Sequence, residues 1–308
     1  MHLFTLRQLE YLIACIDHGS IAAAAEAVSV SQPTISIAIT KLEKQFGSQL
    51  LLRQHAQGVL PTSSAKKILG DVRVLLKCAN ELQSNALMTS ETIEGTVRLG
   101  SFITLAPIIL PTLVKRLKEE LPNLYVKITE GTQENLIHEL KNHKIDLALL
   151  YDIDLPNEID TVSLSESSAY VALPKDHILR EKTEISLNEL VDLPLILLDV
   201  APSRTFFLGL FEEQGLKPKI AHTSPSLELV RGMVGCGLGY SLLVTRPSGD
   251  TTYDGAKISI RPLKGANSKS KIVLSGLANL KKTPLVKCVE KIALTLQDNQ
   301  NDLFKFQK

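Results

Sequence analysis

Near residue 90 the hydrophobic period of the chain changes, and that change restricts the fold more than any other feature. Before it, apolar residues recur every three to four positions; after it, short β-branched runs alternate with helical periods. The chain therefore divides into a helical start and an α/β remainder. Its 308 residues, 44% of them apolar, suffice for roughly two domains of about 150 residues each.

In the first part, Leu6, Leu9, Leu12, Ile13 and Ile16 mark one helix that stops before His18-Gly19. Ser20 is placed to cap a short second helix, Ile21 to Ala27, and Val28-Ser29-Val30 is a tight turn. Ser31 then caps a third helix with Pro33 in its first turn, an apolar face of Ile35, Ile39, Leu42 and Phe46, and a stop at Gly47. Two short helices joined this way form either a helix-turn-helix, over about 21–40, or an ordinary helical hairpin. The segment 50–61, with a polar tip from Gln54 to Gly58, reads as a hairpin that could serve as a wing. The expected DNA-binding unit spans 4–62.

A long helix is expected from Ser63 to about Leu87, within a linker of 63–90. Leu69, Val72, Leu76, Ala79, Gln83 and Ala86 are spaced 3, 4, 3, 4, 3, the a/d seam of a coiled coil. The seam predicts a homodimer through Leu69, Val72, Leu76 and Ala79; the alternative is one amphipathic helix packed on its own domain.

From 94 to 300 the order is β-α-β-α-β followed by a second α/β set, a terminal returning strand and a closing helix. IDLALL, 145–150, reads as a strand of a parallel sheet covered on both faces. The pattern predicts two lobes, 94–165 with 268–300 and 166–267, and a ligand cleft outside the strand C-termini.

Charge alone discourages a nucleic-acid partner, because 34 basic and 33 acidic residues nearly cancel. Divided along the chain, the neutrality conceals a basic block. Residues 27–67 carry Lys41, Lys44, Arg53, Lys66 and Lys67 against Glu43 alone, a net +4. A generally polybasic binder is excluded, whereas one with its charge on a single edge is not.

Other chemistry finds little footing. His138-Glu139-Leu140-Lys141-Asn142-His143 spaces its histidines by five residues, about 100° off the face that a zinc HExxH helix needs. The glycines of Gly232 to Gly239 do not fit GxGxxG and read as a tight turn. No GxSxG or Walker pattern is present, so no enzyme, metal or cofactor is expected. Cys15, Cys78, Cys236 and Cys288 are scattered and suit buried thiols in a reducing compartment. Charges at Arg7, Glu10 and Asp17 leave no signal-peptide core, and the longest charge-free run is too short and proline-broken for a membrane helix. A cytoplasmic protein is expected.

Three stretches carry a family resemblance: LRQLEYLIACIDHGS; IAAAAEAVSVSQPTISIAITKLEKQFGSQLLLR; and GVLPTSSA. They resemble the DNA-binding unit of LysR-type transcriptional regulators, the SQPTIS start with KLEKQFGSQL beyond it being specific. LGSFITLAPIILPTL, IDLALLYD, PLILLD, PSRTFF and VRGMVGCGLGYSLL follow in the order of that family's type II periplasmic-binding-protein-like effector domain. The resemblance implies a homo-oligomer, usually a tetramer, that binds double-stranded promoter DNA, responds to a small effector, and has RNA polymerase as a further partner. It implies DNA contacts from Ser31, Gln32, Pro33, Thr34, Ser36, Lys41 and Arg53. Ile37 and Ala38 depart from it, since the family often carries Arg or Gln there.

Polar groups at strand ends and helix starts are the effector candidates: Ser101, Phe102, Thr104, Gly131, Thr132, Tyr151, Ser203, Arg204, Thr223 and Ser226. Helix N-termini converging with Arg204 predict a carboxylate or other small anion. The competing functional reading is a cytoplasmic solute-binding sensor without DNA binding.

Overall fold

The computed structural model describes residues 4–54, 58–87, 94–265, 269–278 and 282–299. They form two compact units that divide near residue 91.

The first unit opens on α1 (Leu6–His18), capped reciprocally by Thr5 and Gln8 and ended by Gly19 at φ 68°. Ser20 caps α2 (Ile21–Ala27), and Ser31 caps α3 (Gln32–Phe46), which ends at left-handed Gly47. Leu9, Leu12, Cys15, Ala24, Ile35, Ile39 and Leu42 meet in one core, matching the helical spacing of the sequence. The wing pairs β1 (Leu51–Gln54) with β2 (Gly58–Pro61), antiparallel, Leu52 opposite Leu60; its expected tip at 55–57 lies outside the described residues. Two contacts fix the wing. Glu43 Oε1 accepts from the N–H groups of Leu50 and Leu51 at 2.8 and 3.1 Å, and Val59 N donates to Gly19 O at 2.8 Å. Any Cβ on Gly58 would collide with that Gly19 oxygen.

The linker helix α4 runs Ser63–Leu87. Arg73, nearly buried, forks onto Asp17 at 3.0 and 2.5 Å and ties α4 to the end of α1. Val72 is buried and Leu76 packs against the same core, so both are used within their own unit. Leu69 and Ala79 are half-buried, and the side chains of Gln83 and Ala86 lie outside the described residues. Among its described side chains, the large apolar residues that α4 leaves open are Leu75 and Leu82, 41% and 71% exposed.

The second unit contains a five-stranded sheet ordered β4-β3-β5-β12-β6. Its strands are β3 (Gly95–Phe102), β4 (Leu124–Gly131), β5 (Leu147–Tyr151), β6 (Ile159–Ser168) and β12 (Lys269–Leu277). β3, β4 and β5 are parallel as expected, whereas β12 runs antiparallel to both β5 and β6, so the sheet is mixed. β6 escapes prediction because IDTVSLSESS is an edge strand rich in Ser and Thr with outward-facing alternate positions. Helices α5 (Ala106–Glu120), α6 (Gln133–Lys141) and α9 (Pro284–Asn299) accompany this sheet.

The chain passes through Ala169 into β7 (Tyr170–Pro174) of a second lobe. There β7 is flanked by β10 (Ser241–Leu243) and β11 (Ile258–Pro262), both antiparallel to it. β8 (Pro194–Leu198) and β9 (Lys219–Ser224) pair in parallel, and a bridge from Leu195 to Tyr240 links the two sets. Helices α7 (Ser203–Glu212) and α8 (Leu227–Gly235) follow β8 and β9. The expected helix at 187–190 is a single 3₁₀ turn, Leu187–Glu189.

The expectation of four buried thiols holds for Cys15, whose burial pushes its thiol up to about 11. It fails for Cys78 and Cys236, which are exposed on α4 and at the end of α8; all four cysteines are free. No helix among the described residues is long and apolar enough to cross a membrane.

Candidate nucleic-acid interface and effector cavity

Capping decides how α3 presents its first turn. Ser31 Oγ accepts from Thr34 N at 3.3 Å and meets Thr34 Oγ1 at 2.8 Å, so both hydroxyls are engaged in starting the helix. Gln32, Pro33, Thr34 and Lys41 are exposed, while Ile35, Ile39 and Leu42 turn fully inward. Ser36 is half-buried because Arg53 Nη1 donates to its hydroxyl at 3.2 Å. The wing arginine and the helix therefore form one continuous polar edge. All seven predicted DNA-contact residues are on these two elements, and six of them are exposed.

In the second unit the predicted effector residues separate into two groups. Thr104, Tyr151, Ser203 and Ser226 line cavities. Ser101 and Phe102 are wholly buried beneath: the Ser101 hydroxyl reaches Phe102 O, and the Phe102 ring packs edge-on to Tyr151 at 5.5 Å. Gly131 O accepts from Ile103 N, and Thr132 accepts from Asn135 N as a cap of α6. Thr223 is exposed on β9, outside both cavities. Arg204 also lines neither cavity. Its side chain is 45% exposed and bonds Asp199 at 2.9 Å, so the structure does not bring the expected cation to the ligand space.

The two cavities share Thr104 and Leu227. The inner one, with a volume of about 10 Å³, holds no more than one water. Tyr151 Oη bonds Thr245 Oγ1 and lies 3.4 Å from Thr104 Oγ1. Tyr170 Oη donates to Thr245 O at 2.9 Å, and Ser270 Oγ is buried without a hydrogen-bond partner. Burial pushes the Tyr151 and Tyr170 hydroxyls above their ordinary values, so both stay neutral at physiological pH.

The outer cavity, about 670 Å³, is the size of a small-molecule site. It lies among the start of α5, the start of α8 and the 247–253 segment. Its ion pair ties α8 to the 247–253 segment. Arg231, 1% exposed, donates through Nη2 to Gly249 O and Thr251 O at 2.9 and 3.1 Å, and its Nε is 3.4 Å from Glu228 Oε2. Glu228 Oε1 accepts from Tyr253 N at 2.7 Å. Sequence reasoning missed Thr245, although it ends a strand as the chosen residues do; Arg231 gave no such signal, being one arginine inside the apolar helix LVRGMV.

Comparison with known proteins follows the same division. Residues 6–66 match the model of the bacterial regulatory helix-turn-helix protein, lysR family, and residues 90–293 match that of the LysR substrate binding domain. HinK, a LysR family transcriptional regulator from Pseudomonas aeruginosa, is 36% identical, with 96% of this chain and 98% of that one covered and a TM-score of 0.65. A hydrogen peroxide-inducible genes activator of Pectobacterium carotovorum is 29% identical over 239 residues, 77% of this chain and 79% of the relative. Full-length CbnR complexed with its target DNA shares the fold at 22% identity and TM-score 0.56, covering 96% of this chain and all of that one. On the two family models, which between them account for nearly the whole described chain, the protein belongs to the LysR family of transcriptional regulators.

Proposed function

We propose that this regulator reads promoter DNA with the first turns of α3 and with Arg53, and that a small uncharged molecule in the outer cavity controls it. The observation that carries the second half is the internal use of the cavity's one ion pair. Arg231 and Glu228 bind backbone groups of the 247–253 segment and pair with each other at 3.4 Å, Arg231 Nε itself making no hydrogen bond, so the one cation among the described lining residues is already neutralised by a carboxylate. The anion expected from Arg204 is replaced by a ligand held through apolar contact and the Thr104 hydroxyl. Cys236 and Cys288 are the cysteines of the second unit; neither lines either of the two cavities, and the exposed Cys236 Sγ faces the Asp254 carboxylate at 3.8 Å, a neighbour that does not favour a thiolate.

A thermal-shift screen pairing uncharged esters, lactones, amides and alcohols with the matching carboxylates tests this. At a hundredfold excess over Kd a bound compound contributes about 2.7 kcal/mol, a rise of roughly 5–10 °C. The expected hits are uncharged, are lost in Thr104→Val, and survive in Arg204→Ala. Carboxylate hits abolished by Arg204→Ala would reverse the assignment.

The proposed regulator works in the cytoplasm, alongside RNA polymerase at the promoter, and as an oligomer. We place its α4 contact on the exposed stripe of Leu75, Cys78 and Leu82, whose 3- and 4-residue spacing is a coiled-coil seam. Leu82→Lys is expected to weaken self-association about tenfold or more in sedimentation while the first unit stays folded. Leu76→Lys should instead unfold that unit, because Leu76 packs on its core.

A further inference from the structure

The recognition helix exposes a large apolar side chain where a polar one would cost nothing. Ile37 is 69% exposed. Its neighbours at four-residue spacing, Pro33 and Lys41, are also exposed, and Ile35 and Ile39 on the opposite side are completely buried. At 100° per residue the three exposed positions form one stripe facing away from the core. An isoleucine there adds nothing to folding, since its β-branch fits a helix less well than Lys, Arg or Gln. It adjoins Ser36, which Arg53 already contacts, so the stripe is continuous with the DNA-binding edge.

We propose that Ile37 is a specificity residue that reads thymine methyl groups in the major groove. The thymine C5-methyl is the apolar group a base pair presents there; the other features are hydrogen-bond donors and acceptors. Set against a cytosine amino group or a guanine oxygen, Ile37 would strip water from a polar atom and return no hydrogen bond. Set against thymine, both apolar surfaces leave water. Ile37 lies five residues beyond Gln32, about 7.5 Å along the helix axis, so it addresses a different base pair from the one Gln32 reaches.

The experiment uses the full-length chain and needs no prior operator. Duplexes enriched from a random-sequence pool are resynthesised with deoxyuridine replacing thymine at one position at a time, which deletes only the methyl. The wild type should lose about fourfold in affinity at one thymine per half-site, the equivalent of one buried methyl group. Ile37→Ala should bind thymine and deoxyuridine equally at that position, and Ile37→Val should fall between. Since the side chain is exposed, melting temperatures of the variants should match the wild type. Tolerance of deoxyuridine at every position, unchanged discrimination in Ile37→Ala, or a pool that enriches no thymine would each overturn the assignment.

Discussion

Replacing Gln32 and Ser36 together by alanine should reduce affinity for a selected duplex by roughly ten- to two-thousandfold at fixed salt. A glutamine paired bidentately with adenine discriminates by about 1–3 kcal/mol, and a hydroxyl hydrogen bond adds about 0.5–1.5 kcal/mol. Ser36 matters twice, as a contact in its own right and as the group that receives Arg53 Nη1 at 3.2 Å. Without it, the wing arginine must be ordered at the moment of binding. Neither change touches the core, because Gln32 is exposed and the Ser36 hydroxyl bonds Arg53 alone among its recorded partners. The melting temperature should therefore remain within a degree or two. Fluorescence anisotropy over a salt series separates the two kinds of contact. The double variant, which removes no charge, should keep the wild-type dependence of affinity on salt, whereas Arg53→Ala should reduce that slope by about one. Wild-type affinity in the double variant would move sequence reading away from α3.

The helical unit was legible in the sequence because each boundary carries its own signal. Ser20, Ser31, Gly19 and Gly47 are caps whose chemistry is local, and the structure places each where the spacing put it. In the second unit the continuously buried strand β5 is legible, whereas the Ser- and Thr-rich edge strand β6 and the short part-buried β11 are not. The ligand space was least legible, for a physical reason. A polar residue at a strand end can cap a helix, tie a loop or face a ligand, and one dimensional spacing does not separate these. Thr132 and Ser226 both cap helices, yet Ser226 also lines the outer cavity and Thr132 does not. Arg204 looked like an anion partner and is bonded to Asp199, five residues before it, a pairing that depends on how the chain turns out of β8.

Gly239→Ala should destabilise the second unit by about 2–5 kcal/mol and lower its melting transition by roughly 4–20 °C. A Cβ on Gly239, whose φ is +157°, would collide with the carbonyl oxygen of Pro194 and stand 3.1 Å from its carbon. Both are backbone atoms of β8 and cannot swing aside as a side chain could. The close approach is held by Tyr240 N donating to Pro194 O at 3.0 Å and Ile196 N donating to Tyr240 O at 2.8 Å. Relieving the collision would break the bridge between Leu195 of β8 and Tyr240 just before β10, exposing donors and acceptors that are now paired. Gly237, two residues away, is the control. It has φ +80° but nothing within 4 Å of a built Cβ, so Gly237→Ala should cost only the left-handed conformation, about 1–2 kcal/mol. Calorimetry of the full chain should show the larger loss for Gly239→Ala. The glycine run from Gly232 to Gly239 is thus more than a tight turn: at Gly239 it is the contact that lets the two strand sets of the second lobe join.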